Sequence, residues 1–174
     1  MRRHLKHYLH RHEPRGDTLS HLKSGLGAMI ALGAVALLSI ETGVPLLIAP
    51  FGASAVLLFG QASSPLAQPA NVIGGYGIAL VFSLAAAFAF PGDALVAVAA
   101  VGLSIAGMLA LRVTHPPAGA VPLVGYASAL APVELCEVVL VGSFLLVALA
   151  VLHHLIPPRQ QYPVRIDCGA SRSF

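Results

Sequence analysis

The sequence predicts an all-α, polytopic membrane protein, and three observations carry that prediction. Of the 174 residues, 57% are hydrophobic and only 10% charged. The mean hydropathy of +0.83 lies outside the balance of an ordinary soluble domain. The charge-free runs are long: no Asp, Glu, Lys or Arg falls between Glu41 and Asp93, nor in Ala94–Leu111, Val113–Val133 or Val138–Pro158. These runs also lack the ten-residue alternation of barrel strands. A bilayer forces each backbone group to find its partner within the chain, which leaves helices.

Residues 1–23, MRRHLKHYLHRHEPRGDTLSHLK, form a basic leader with six of the ten Lys and Arg residues. Its histidines (His4, His7, His10, His12, His21) match no closed ligand set, so no metal is expected. With Leu5, Tyr8 and Leu9 they fit a basic amphipathic helix on an anionic membrane leaflet. Six apolar segments follow in a single transmembrane domain, 24–156: Ser24–Ile40, Val44–Gly60, Val72–Phe90, Ala94–Leu111, Ala118–Ala131 and Val133–Ile156. The first follows a long polar stretch and is not closed by a small-residue cleavage site, so it is kept as a helix rather than a signal peptide. Pro157 and Pro158 end the last, and 157–174 is a polar tail.

Segments two and five are short. The 17 residues of Val44–Gly60 reach about 25 Å as a helix against a hydrocarbon core of about 30 Å, and Pro45 and Pro50 interrupt them. Both segments read as broken helices, which lipid tolerates only where the irregular backbone is buried in protein or lines a cavity. If all six segments cross, every Lys and Arg falls on the side of the leader, and Glu41, Asp93, Glu134 and Glu137 fall opposite. The positive-inside rule then places both termini in the cytoplasm, as in a bacterial inner membrane. Four spans with two re-entrant loops are the competing arrangement; they put Arg112 on the other side.

A shift of 65 residues lays GASAVLLFG (52–60) over PAGAVPLVG (117–125) with five of nine positions identical. The long flanking segments superpose at the same shift. The chain therefore reads as two three-helix repeats, 24–90 and 94–156, inverted in the membrane if six spans hold. Paired interrupted helices in such halves meet near the midplane, where substrate binds.

A helix that starts inside the membrane leaves its first N–H groups unpaired and carries partial positive charge there, which suits an anion. The expected starts are Gly52-Ala53-Ser54 and Pro117-Ala118-Gly119-Ala120, with Pro116 and Thr114 beside the second. Proline is pre-set for the first helical turn. His115 offers one donor and one acceptor, and it is read either as binding the anion or carrying a proton, or as satisfying carbonyls freed by the two prolines. Asn71, in SSPLAQPANVIGGYG (63–77), is read as a helix cap, with substrate contact as the alternative. Arg112 is read as an interfacial anchor, with an anion gate as the alternative, and His153 and His154 as interfacial residues.

Cys136 and Cys168 suggest neither a disulfide framework nor a metal cluster. No nucleophile–base pair, carboxylate pair or phosphate-cradling loop stands out. The expectation is therefore a protein without enzymatic activity and without cofactor or metal.

PFGASAVLLFG, SSPLAQPANVIGG and THPPAGAVPL together resemble the HPP family of small integral membrane proteins, named for the motif that falls here at His115, Pro116 and Pro117. The resemblance covers about residues 20–156. Members in plant chloroplasts and cyanobacteria are described as nitrite transporters, so the resemblance implies nitrite or a similar small anion. The reading of the helix starts points independently at an anion. The expected function is a transporter or channel for a small monovalent anion. A neutral-solute channel and a non-transporting scaffold or sensor subunit are the alternatives. The expected partners are the lipid bilayer and the anion, with no nucleic acid. Small-residue faces such as GLGAMIALGAVA (25–36) leave room for a homo-oligomer.

Overall fold

The computed structural model describes residues 16–128 and 130–165, and among these it is helical, with no strand. Six helices form: α1 Thr18–Thr42, α2 Ala49–Ala55, α3 Pro69–Ala89, α4 Ala94–Ala110, α5 Val121–Ala127 and α6 Pro132–Leu155. A π-helical turn, Val56–Gly60, continues α2, and 3₁₀ turns occupy Pro65–Ala67 and Pro116–Ala120. Among the described residues three helices, α1, α3 and α6, are long and apolar enough to cross a membrane. The chain is thus an integral membrane protein. Residues 1–15, with His4, His7, His10 and His12, and the stretch 166–174, with Cys168, lie outside the described residues.

Helix boundaries follow local chemistry. Asp93 Oδ1 accepts from Leu95 N at 2.8 Å and Val96 N at 3.2 Å, capping α4. Glu134 Oε2 takes the Ala131 N–H at 2.8 Å before α6. At the other end of α4, Val113 N bonds Met108 O and Arg112 N bonds Leu109 O, a Schellman closure. Arg112 stands at its left-handed position with φ 57°, where glycine costs less and a cation offsets the helix dipole. Arg112 is exposed there.

Three expected boundaries are corrected. α1 begins at Thr18, because the polar turn TLSHLK continues the helix outward. α2 begins at Ala49, not Gly52, because Pro50 fits its first turn. The expected start at Pro117–Ala120 is a 3₁₀ turn that opens at Pro116 and becomes α-helical only at Val121. The hydrogen bond from Ala118 N to His115 O closes it at the tighter 3₁₀ spacing.

The irregular backbone has partners. Between α1 and α2 the chain has no regular structure, and Ser39 serves it twice: its Oγ donates to Val44 O at 2.7 Å and accepts from Leu46 N at 3.0 Å. The π-turn leaves the Leu58 carbonyl to His154 Nε2, which donates to it at 2.8 Å.

α3 and α6 form the centre: α3 packs on α4, α5 and α6, and α6 also holds α1, α2 and the π-turn. Their shared core includes Val35, Phe51, Leu58, Val72, Tyr76, Met108, Val121 and Leu146. Lys23 of α1 bonds the carbonyls of Ile156 and Pro158 after α6, so α1 begins where α6 ends. We call this the basic end, since Lys23, Arg112 and Arg159 gather there. Glu41, Asp93, Glu134 and Glu137 sit at the opposite helix ends.

Candidate functional site

The short elements bring together three polar side chains that lie far apart in the sequence. Ser54 of α2, Tyr76 of α3 and His115, just before the second 3₁₀ turn, are each 0% exposed. Ser54 Oγ stands 2.8 Å from Tyr76 Oη and 2.7 Å from His115 Nε2. The second ring nitrogen, His115 Nδ1, lies 2.8 Å from the Leu66 carbonyl.

One constraint orients the whole chain of bonds. A carbonyl only accepts, so Nδ1 carries the proton and donates to Leu66 O. In a neutral ring Nε2 then accepts, Ser54 donates to it, and Tyr76 donates to Ser54. If the ring gains a proton, it does so at Nε2, and the Ser54 hydroxyl must turn away to accept from it. The cluster has two self-consistent donor directions and no charged side chain.

Glycine makes the approach possible. A Cβ on Gly75 would lie 2.8 Å from His115 Cβ and 3.1 Å from Val113 O, so only a bare α3 backbone admits the histidine segment. Asn71, one turn earlier, donates its Nδ2–H to Thr114 O at 3.0 Å. Here the helix-cap reading of Asn71 is corrected: the N-cap of α3 is Gln68, and Asn71 ties α3 to the second break. On the other side Phe51 meets Tyr76 edge-on at 5.4 Å. Its ring occupies the space that a Cβ on Gly142 of α6 would need.

The other expected site residues are divided. Gly52 and Ala53 lie on the exposed side of α2, away from buried Ser54. Pro117, Ala118 and Gly119 are buried, Ala120 half-buried and Pro116 exposed. Thr114, Pro116, Gly119 and Ala120 line an apolar cavity of about 440 Å³ against Val101, Ile105, Met108 and Leu123. The two breaks therefore meet through the Ser54–His115 bond, while Gly52 and Ala53 do not share the Gly119 cavity. Exposed Arg112 is not among the residues bonded in the cluster.

Sequence reasoning missed Tyr76, Leu66 and His154. Tyr76 carried a signal, a phenol inside an apolar helix that must find a partner once buried. Leu66 carried none, because it contributes only a carbonyl. His154, in the last turn of α6, is 2% exposed and holds the π-turn, a role that its interfacial reading did not include.

The family described as "HPP, transmembrane region" matches residues 13–163. Two transmembrane proteins of Dictyostelium discoideum are similar. One is 34% identical over 114 residues, covering 61% of this chain and 37% of the relative; the other is 36% identical over 90 residues, covering 49% and 32%. The chain thus spans about a third of the length of these curated relatives. No solved structure matches.

Proposed function

This chain belongs to the HPP transmembrane family, and from that premise we propose that it transports a small monovalent anion, with nitrite the first substrate to test. The observation that carries the reading is the Ser54–Tyr76–His115 cluster, fully buried and joining both breaks. Polar groups at membrane depth are costly, and their default reading is functional. Two hydroxyls and one imidazole converge on a point; the hydroxyls spend their donors within the cluster and the imidazole spends its own on the Leu66 carbonyl. Opening the Ser54–His115 bond frees the Ser54 hydroxyl for one oxygen of the anion, and protonation of His115 Nε2 supplies a donor for the other, so internal hydrogen bonds are exchanged for substrate bonds at small net cost. A proton taken up at His115 Nε2 would balance the anion's charge.

The proposal includes two inverted units, α1–α2–α3 and α4–α5–α6, with α2 and α5 as half-helices. The packing supports it pairwise: α1 on α6 corresponds to α4 on α3, and α1 on α2 to α4 on α5. The insertions are reciprocal too, Phe51 against Gly142 and His115 against Gly75. Gly52, Ala53, Thr114 and Pro116–Ala120 then line the path as the halves part, with Arg112 at its basic end. The basic end faces the cytoplasm, no catalytic step or cofactor takes part, and copies associate through the small-residue face of α1.

Uptake into reconstituted vesicles, with and without a pH gradient, tests the reading. Nitrite should enter, and faster with the pH gradient than without it. His115→Ala should lower flux about tenfold, the factor that about 1.4 kcal/mol of lost stabilisation represents. Flux of a neutral solute that ignores potential would favour a channel. No flux of nitrite, nitrate, formate or chloride would refute transport of anions.

A further inference from the structure

The segment that follows α6 has no regular structure, yet it is tied down along its length. Lys23 Nζ donates to Ile156 O at 2.6 Å and Pro158 O at 2.7 Å. Gln160 N bonds His154 O at 3.3 Å. Tyr162 is 6% exposed, lays its ring 5.2 Å from that of His154, and donates its Oη–H to Ala67 O at 2.9 Å. Val164 N donates to Gln68 Oε1 at 2.9 Å.

These last two bonds land on one short loop. Gln68 knots that loop internally, its Nε2 donating to Ala62 O and Ser64 O, each at 2.9 Å. Ala67, gripped by Tyr162, adjoins Leu66, whose carbonyl accepts from His115 Nδ1. Both residues belong to the 3₁₀ turn Pro65–Ala67. Their carbonyls sit on successive peptide planes of a turn stiffened by proline, so one cannot shift far without the other.

We propose that residues 156–164 form a latch, with Tyr162 as its positioning residue, that holds the 61–68 loop and through the Leu66 carbonyl fixes the donor direction of the Ser54–Tyr76–His115 cluster. The proposal rests on reading that cluster as the transport site. With the latch seated, Leu66 O keeps the proton on Nδ1 and Nε2 remains the acceptor for Ser54. With it released, Leu66 is free to withdraw, and His115 can carry its proton on either nitrogen. The latch therefore controls which atom donates in the bond that joins the two broken segments.

The test uses the full chain in lipid nanodiscs with ¹⁵N-labelled histidine, reading the ring nitrogens of His115, and parallel nitrite uptake in vesicles. The native protein should show a single Nδ1–H tautomer. Tyr162→Phe keeps the ring on His154 but loses the bond to Ala67. It should raise the released population roughly fivefold, the effect of losing one neutral hydrogen bond. The two nitrogen signals should then move toward each other, and uptake should change. Arg159→Gln removes only a bond to Leu155 O, the last residue of α6, touches neither the 61–68 loop nor His115, and should leave both readouts unaltered. If Tyr162→Phe does not fold, Lys23→Met removes the two bonds that hold the start of the latch and should have the same effect. An unchanged His115 spectrum in a folded latch variant overturns the proposal, whatever uptake does. A spectrum that responds while no anion is taken up, even by the native chain, leaves the latch standing and removes the transport reading.

Discussion

Gly75→Ala and Gly77→Ala make the same chemical change two residues apart in α3 and should have opposite effects. Alanine is favoured over glycine in a helix interior by about 1 kcal/mol, and both variants gain it. At Gly77 the added methyl meets nothing within 4 Å. At Gly75 it would lie 2.8 Å from His115 Cβ, 3.1 Å from Val113 O and 3.2 Å from Met108 Sδ, against a carbon–carbon optimum of about 3.5–4.0 Å. The histidine Cβ has no freedom to yield: it is one bond from the backbone, and its ring is held at both nitrogens. Overpacking of this kind costs about 1–3 kcal/mol. The helix term cancels between the variants, so that cost is their difference. At about 2–4 °C per kcal/mol for a chain of this size, the unfolding midpoint of Gly75→Ala in detergent should fall about 2–12 °C below that of Gly77→Ala. The penalty should persist in a His115→Ala background, which keeps the Cβ, and shrink in His115→Gly, which removes it. Equal midpoints for the two variants, or an undiminished penalty with His115→Gly, would show that His115 does not press on α3 here.

Two further outcomes follow from the same bonds. Ser54→Ala strips partners from both His115 Nε2 and Tyr76 Oη and should cost about 1–3 kcal/mol. Tyr76→Phe leaves the Ser54–His115 bond intact and should cost about 0.5–1.5 kcal/mol; denaturant midpoints that reverse this order would contradict the assigned donor directions. Burial pushes the Tyr162 phenol up from its ordinary pKa, so above about pH 10 the unfolded chain releases a proton that the folded chain keeps. The stability tied to Tyr162 is therefore complete below that pH and lost as pH rises further. Tyr162→Phe should flatten the alkaline part of the midpoint-against-pH curve, and a curve identical to that of the native protein would place the phenol in water.

Much of the site was legible, though in pieces. Ser54 and His115 stood out because a hydroxyl and an imidazole inside charge-free runs need partners. What could not be read was that they partner each other, 61 residues apart, with Tyr76 as third member. Asn71 shows the limit of local rules: its position before an apolar run suggests a cap, yet its amide crosses to Thr114 O, 43 residues away. His154 and Tyr162 stayed hidden because their acceptors, Leu58 O and Ala67 O, are backbone atoms 96 and 95 residues distant.

By itself the sequence determined that the chain is helical and that it lives in a membrane, and its prolines marked the two short segments without fixing where their helices start. Those properties follow from hydropathy, charge placement and proline, which act over a few residues in a solvent that leaves backbone groups no other partner. The tertiary structure alone decided which polar atoms meet. A hydrogen bond requires its two atoms within about 3 Å, and only the packing of α2, α3 and the second break across Gly75 brings Ser54, Tyr76 and His115 that close.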